Sequence, residues 1–238
     1  ESSGVVVSVG EGVTGLKEGD KVVATYGYCG HCEFCQKGQG TQCINSRSNR
    51  PRLDFEGTII GGAFAQYIVV PQWQTVKLAD DANLEHSALT EPLACVIHST
   101  RKTRLSFGDT AVIIGFGVMG YFHLKLALLS GARVIVSEPD QARREKALES
   151  GAAFAINPLE EDAIAFVKSK TDGHGANVVI NTIPLSGVWE DAIDMLAPYG
   201  QLVAYSSQDK KDPIGISFSE LHDKETEFIG TVSPTIED

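Results

Sequence analysis

The sequence predicts an α/β protein, a doubly wound parallel sheet preceded by a smaller β-rich segment. Three observations carry that expectation. From Phe107 onward, short apolar runs alternate with helical patterns; before about residue 96 the texture is strand and turn. Gly115, Gly117 and Gly120 fall where the first of the later runs gives way to a helix.

The elements follow in chain order. Val5-Val6-Val7, Lys21-Val22-Val23-Ala24 and the run from Ala65 to Val70 are β-branched stretches bounded by Gly-Asp, Gly-Gly and Pro. Lys17-Glu18-Gly19-Asp20 is the turn into the second. In the later half, Ala111–Ile114 reads as an apolar strand and Val118–Leu129 as the helix that follows it. Arg133–Ser137 is the next strand, and Gln141–Ser150 a charged helix. Asn177–Ile180 and Gln201–Tyr205 are further strands, with a helical pattern over Trp189–Leu196 between them. Strand, helix, strand in this rhythm implies parallel pairing with crossovers.

Composition removes several classes of function. The chain has 238 residues, 42% hydrophobic and 21% charged, which is globular rather than disordered or fibrous. Twenty basic residues against 31 acidic ones leave a net charge of −11, the wrong field for binding a nucleic-acid backbone. No window approaches the roughly eighteen consecutive apolar residues of a membrane-spanning helix. Nothing at the start reads as a signal peptide, and a cytoplasmic location is expected. A chain that opens at Glu1, already within strand-like sequence, is expected to be part of a longer protein.

Four of the five cysteines crowd into one segment, Cys29, Cys32, Cys35 and Cys43, spaced C-x2-C-x2-C-x7-C. Four thiolates on one short loop suit the tetrahedral preference of Zn²⁺, and the glycines among them let the loop wrap the ion. With all four positions filled by protein, such a site is structural. Disulfides are the alternative, against which stand the close spacing and the absence of secreted character. An iron–sulfur cluster is a further one. His31, inside the loop, reads as solvent-exposed.

Gly115-x-Gly117-x-x-Gly120 is a dinucleotide fingerprint because of its setting between a strand and a helix. Gly115 makes the tight turn, Gly117 admits a pyrophosphate to the backbone, and Gly120 allows close helix packing. Val118, Met119 and Gly120 open the helix, whose free amides and positive dipole end suit phosphate. Glu138, about 20 residues on, is placed to accept both ribose hydroxyls of NAD and to repel a 2′-phosphate. Its alternative is a solvated loop acid. Arg143 is placed to cover the adenine, to pair with Glu138, or to stand in solvent.

These motifs, in this order, resemble the zinc-containing medium-chain dehydrogenases of alcohols and polyols, over the whole chain. Glu1-Ser2-Ser3-Gly4-Val5-Val6 resembles the stretch that begins at the Glu of that family's Gly-His-Glu motif. The cysteine lobe, Gly61-Gly62-Ala63-Phe64-Ala65, Glu91-Pro92-Leu93-Ala94 and the glycine fingerprint follow with family-like spacing. The resemblance implies a partial GroES-like β-rich catalytic domain over 1–97, with the zinc lobe at 29–43. A Rossmann NAD-binding domain over 98–230 and a return toward the catalytic domain over 231–238 complete it. It implies an NAD-dependent oxidoreductase acting on a secondary alcohol, with a polyol or sugar alcohol favoured by Glu91-Pro92-Leu93. A different substrate such as threonine, or a non-catalytic NAD-binding protein, are the alternatives.

The family's second zinc polarises the alcohol, and here the resemblance offers Glu1 and Glu91 as its ligands. Glu1 as a carboxylate that never touches metal, Glu91 as a helix-initiating acid, and Cys95 as ligand in place of a small buried thiol are the competing readings. Asn181, Thr182 and Ile183, after the strand Asn177–Ile180, are expected at the rim of the nicotinamide pocket, and Ser206-Ser207 are weaker candidates. Gly230-Thr231-Val232 resembles the strand that faces the nicotinamide. A homodimer or homotetramer is the implied assembly.

Overall fold

A computed structural model describes the chain except for residues 26, 46–51, 54–58, 61, 62, 64, 209–213 and 236. Gly61, Gly62 and Phe64 of the glycine-rich motif therefore lie outside the described residues. The chain divides into two compact units, Glu1–Cys95 with Ser233–Asp238, and Val96–Val232.

The first unit is built on an antiparallel sheet in which β2 (Lys21–Ala24) lies between β1 (Ser2–Val5) and β5 (Thr75–Lys77). A two-residue ladder, β3 (Arg52–Leu53) with β4 (Ile59–Ile60), is separate from it. Asp20 locks the entry to β2: its buried carboxylate accepts the Lys17 amide at 2.9 Å and the Lys77 ammonium at 2.9 Å. The bond from Lys77 holds that carboxyl below the usual carboxylate range. Short helices α1 (Glu33–Gln36) and α2 (Leu84–Ser87) follow, the latter capped by the Asn83 side chain. The longer α3 runs Thr90–Arg101.

Two expected strands differ here. The Val5–Val7 run is strand only at its beginning, because β1 covers Ser2–Val5 and beyond it only Val6 bonds back, to Asp20 and Gly19. The stretch from Ala65 to Val70 forms no strand. β-branched residues favour an extended backbone, but a strand needs a ladder partner, and none is found among the described residues.

The second unit is a six-stranded parallel sheet in the order β11-β10-β9-β6-β7-β8. The strands are β6 (Thr110–Ile114), β7 (Arg133–Ser137), β8 (Phe154–Ile156), β9 (Ala176–Asn181), β10 (Leu196–Ala204) and β11 (Glu227–Gly230). Helices α4 (Val118–Leu129), α5 (Gln141–Glu149), α6 (Ala163–Ser169), α7 (Gly187–Asp194) and α8 (Phe218–Lys224) connect them. Successive residues of β6 serve opposite faces. Val112 and Ile114 join the core with Ile135, Val179 and Leu202, whereas Ala111 and Ile113 join Val134, Val178 and Leu124. Burial on both faces is why the parallel strands read as unbroken apolar runs rather than alternating ones.

The last strands depart from expectation in detail. α7 ends at Asp194, so Leu196 belongs to β10 and not to the helix. β10 starts earlier than Gln201, with a register shift between Leu196 and Gln201 and Tyr199 at φ 61°. That irregular stretch reads as loop because Pro198 and Gly200 sit inside it. Among the described residues no helix is long and apolar enough to cross a membrane.

Candidate metal centre and dinucleotide site

The cysteine lobe folds on itself within fifteen residues. Gly30 and Gly38 take positive φ values of 77° and 74°, backbone conformations that residues with a Cβ rarely adopt. Cys32 stands at the N-cap of α1, Cys35 within it, and Cys43 just after a 3₁₀ turn over Gly40–Gln42. All four sulfurs lie within 4.8 Å of one another, with Cys32 Sγ 3.4 Å from Cys35 Sγ and 3.9 Å from Cys43 Sγ. Zinc–sulfur bonds of about 2.3 Å place tetrahedral ligands about 3.8 Å apart. The separations match that edge and are far too long for disulfide bonds, and all the cysteines are free thiols.

The surroundings are already arranged for thiolates. Cys29 Sγ receives the Cys32 amide at 3.3 Å and the Asn45 side-chain amide at 3.5 Å, while Cys43 Sγ receives the Cys29 amide at 3.2 Å. The Asn45 bond leads in lowering the Cys29 thiol to about 5. The backbone hydrogen bond with Cys35 also holds the Cys32 thiol below its usual value. Cys35 is pushed up to about 12 by burial, so it is the thiol that most needs a cation's charge to ionise. The donor set fits Zn²⁺. His31 is exposed, with Nδ1 2.8 Å from the Cys29 carbonyl, outside the tetrad.

The fingerprint lies at the carboxyl end of β6, between β9 and β7, where the strand order reverses. Gly115, at φ 88°, donates its amide to Ser137 O at 2.8 Å and turns the chain away from the strand. A Cβ there would lie 2.6 Å from Ile183 Cγ2 and 2.7 Å from Thr182 Oγ1. Thr182 and Ile183 thus border the turn, and the Thr182 hydroxyl donates to Ile114 O at 2.8 Å. A Cβ on Gly120 would meet Gly115 O at 2.1 Å. A Cβ on Gly117 would meet nothing within 4 Å. Gly117 is also the N-cap of α4 with no side chain capping it, and the helix ladder begins with Tyr121 N–H to Gly117 O. The amides of Val118, Met119 and Gly120 therefore precede the ladder, and open space borders the helix entry at Gly117. A diphosphate fits that cradle.

Glu138 is buried, and both its oxygens already hold backbone amides: Oε2 accepts Phe116 N–H at 2.7 Å and Oε1 accepts Asp140 N–H at 3.0 Å. The sequence offered no sign of this second task, which ties the strand end to the glycine turn. A carboxylate has about four acceptor positions, so capacity for ribose hydroxyls remains. Arg143 Nη1 lies 3.9 Å from Glu138 Oε2 with most of its side chain in solvent. Asp140 caps α5 by accepting Arg143 N–H at 2.8 Å.

Glu91 stands in the first turn of α3, half-buried, and burial followed by the nearby Glu1 carboxylate pushes it up. Cys95 Sγ lies 3.6 Å from Glu91 Oε1, and burial first, then Glu91, pushes that thiol up to about 12. Among the described residues, the cysteine tetrad is the only group of three or more His, Cys, Asp or Glu side chains close enough to share an ion. Glu1 and Glu91 come together as a pair. They do not by themselves make a second metal site.

Two buried polar groups near the fingerprint make contacts that the sequence does not show. Asn181, wholly buried at the end of β9, accepts Ile183 N–H at 3.0 Å but leaves Nδ2 without a partner. His123, equally buried, places Nδ1 2.9 Å from Met119 O and Nε2 3.1 Å from Ser99 Oγ. Burial lowers the His123 imidazole to about 4, so it is neutral in the folded state. The unfolded chain protonates it near 6.5, and stability is therefore lost as pH falls from about 6.5 to about 4. Replacing His123 by Gln should flatten that slope, narrowing the stability difference from wild type by up to about 3 kcal/mol between those limits. Urea unfolding at neutral and acid pH measures it; parallel slopes would show that His123 does not titrate across the range.

Comparison with known proteins decides the family. The profile described as zinc-binding dehydrogenase matches residues 118–238, and that of the alcohol dehydrogenase GroES-like domain matches residues 1–80. The chain belongs to the zinc-binding dehydrogenase family. It is 35% identical to a sorbitol dehydrogenase of Halalkalibacterium halodurans over 237 residues, which are 98% of this chain and 67% of that protein. An L-threonine 3-dehydrogenase of Pyrococcus abyssi is 36% identical over 204 residues, 85% of this chain and 56% of that one. A zinc-binding dehydrogenase of Sinorhizobium meliloti solved with NADP superposes with a TM-score of 0.88 at 25% identity, covering 98% of this chain and 68% of its own. The chain thus spans between about half and two thirds of these family members.

Proposed function

We propose that this dehydrogenase oxidises a secondary alcohol, a polyol or sugar alcohol, by hydride transfer to NAD, and that Cys29, Cys32, Cys35 and Cys43 hold a structural zinc. The observation that carries the reading is the open cradle at Gly117, set over uncapped amides at the reversal point of a parallel sheet. Kinship with a sorbitol dehydrogenase supports the polyol, and the threonine dehydrogenase keeps an amino-alcohol in view. In this reading residues 1–97 belong to the catalytic domain, 98–230 bind the dinucleotide and 231–238 return to the catalytic domain.

The residues have separable tasks. Gly117 leaves room for the pyrophosphate, and the amides of Val118, Met119 and Gly120 donate to it. Glu138 accepts the ribose hydroxyls while anchoring Phe116, and Arg143 lies beside it. Thr182 and Ile183 border the nicotinamide. When bound, NAD supplies the hydride acceptor. Glu1 and Glu91 are the carboxylates nearest to a metal-binding role, and among the described residues they form only a pair.

The test is dinucleotide reduction by the natural protein over sorbitol, other polyols, simple secondary alcohols and threonine. Polyol-dependent NADH formation is expected. Faster turnover of threonine would move the substrate class, and a failure to bind either dinucleotide would remove the reading. Assembly as a homodimer or homotetramer is expected by sedimentation.

Cofactor choice gives a sharper expectation. The S. meliloti relative holds NADP, whereas in this reading the Glu138 carboxylate stands against a 2′-phosphate. Charge-assisted bonds contribute about 1.5–3 kcal/mol each. Glu138→Ala should therefore reduce the NAD-over-NADP preference in kcat/KM by about tenfold or more, while weakening both cofactors through the loosened Phe116 turn. An unchanged ratio would mean that Glu138 anchors the turn and does nothing to discriminate.

A further inference from the structure

We propose that His123 is a positioning residue for the dinucleotide phosphate, acting through the Met119–Gly120 peptide; the proposal rests on the reading of the fingerprint as a dinucleotide site. The polarity of its contacts follows from the partners. Met119 O can only accept, so Nδ1, at 2.9 Å, carries the proton. A neutral ring has one N–H, which leaves Nε2 bare to accept the Ser99 hydroxyl at 3.1 Å. Ser99 is itself wholly buried on α3, so the hydroxyl fixes the tautomer and the ring orientation together. Tyr205 meets the ring edge-on at 4.7 Å between centroids, and its hydroxyl lies 2.9 Å from Met119 Sδ.

Met119 is thereby held at both its carbonyl and its side chain. The Met119 carbonyl and the Gly120 N–H belong to one peptide group. A hydrogen bond donated to the carbonyl withdraws electron density from that N–H and strengthens it as a donor. Gly120 N–H is one of the three amides ahead of the α4 ladder, the set that donates to the phosphate in the dinucleotide reading. A leucine would fill the same buried space without the cost of desolvating an imidazole. Through the Met119 carbonyl, the effect of the imidazole reaches the phosphate cradle.

Calorimetry with NADH on the zinc-loaded chain tests this, using three substitutions with thermal unfolding measured alongside. The Asn side-chain amide overlays the Nδ1 position, so His123→Asn preserves the donor to Met119 O. His123→Gln reaches Ser99 instead. His123→Leu and His123→Gln should weaken NADH binding by about three- to tenfold, and His123→Asn should remain within about twofold of wild type. The Gly120 amide proton should move upfield in the leucine and glutamine variants and hold its position in the asparagine one. Should the leucine variant fail to fold, the comparison of asparagine with glutamine carries the test. Affinities that follow thermal stability in all three variants, or an unmoved Gly120 resonance, would overturn the proposal alone. Wild-type chain that binds no NADH would overturn the dinucleotide reading and this proposal with it.

Discussion

Cys32→Ser should empty the metal lobe, lowering zinc from about one ion per chain to near zero and exposing the segment around Cys29–Cys43 to proteolysis. The physical reason is coupling between ligation and folding, since a four-thiolate site gives up its ion when one ligand becomes a poor one. Cys32 is the central choice, because its sulfur lies 3.4 Å from Cys35 Sγ and 3.9 Å from Cys43 Sγ, and its amide bonds Cys29 Sγ at 3.3 Å. The lobe has little else to hold it. α1 is a single turn, and between Cys29 and Cys43 only Cys32, Gly40 and Cys43 are buried. The damage should stay local, because the parallel sheet carries its own two cores. Metal analysis on purified protein reads the first effect and limited proteolysis the second. Wild-type chain should hold one zinc rather than two, since Glu1 and Glu91 bring no third ligand among the described residues. A serine variant with undiminished zinc would place the ion elsewhere.

The same contrast between local and distant information explains what could be read in advance. The helix over Val118–Leu129 was legible to the residue, because Gly117 opens it and Ser130-Gly131 close it within the sequence itself. The cysteine cluster was legible because four ligands within fifteen positions need no long-range folding to meet. The extended run at Ala65–Val70 failed because a strand is a pair, and its partner cannot be inferred from its own residues. β10 began early because its first stretch, through Pro198 and Gly200, pairs with β9 despite turn-like chemistry. The contacts that shape the dinucleotide site were hidden for another reason. Glu138 meets Phe116 across 22 positions and His123 meets Ser99 across 24, and only the sheet topology brings them together.

The last two glycines of the fingerprint should fail in different ways when given a methyl group, and that difference separates folding from binding. At Gly120 the new Cβ would lie 2.1 Å from Gly115 O, a backbone atom that cannot swing aside. Helix α4 would have to withdraw from β6, disturbing the core that Leu124 and Ala127 share with Ala111 and Ile113. Gly120→Ala should cost on the order of 3 kcal/mol or more in stability, and dinucleotide binding with it. At Gly117 the methyl would meet nothing within 4 Å, and the residue's φ of −78° is open to any L-amino acid. Loss of a favourable N-cap and gain from a stiffer unfolded chain oppose one another there, so stability should change by no more than about 1 kcal/mol. The methyl would occupy the approach of the pyrophosphate to the α4 amides, at a loss of one or two charge-assisted hydrogen bonds. NADH should then bind about 10- to 100-fold more weakly to Gly117→Ala than to wild type. Unfolding curves and NADH titration of the two variants decide the matter. Undiminished binding by a stable Gly117→Ala would mean that the phosphates do not pass over the turn, and the cradle would then have to be sought along Thr182 and Ile183.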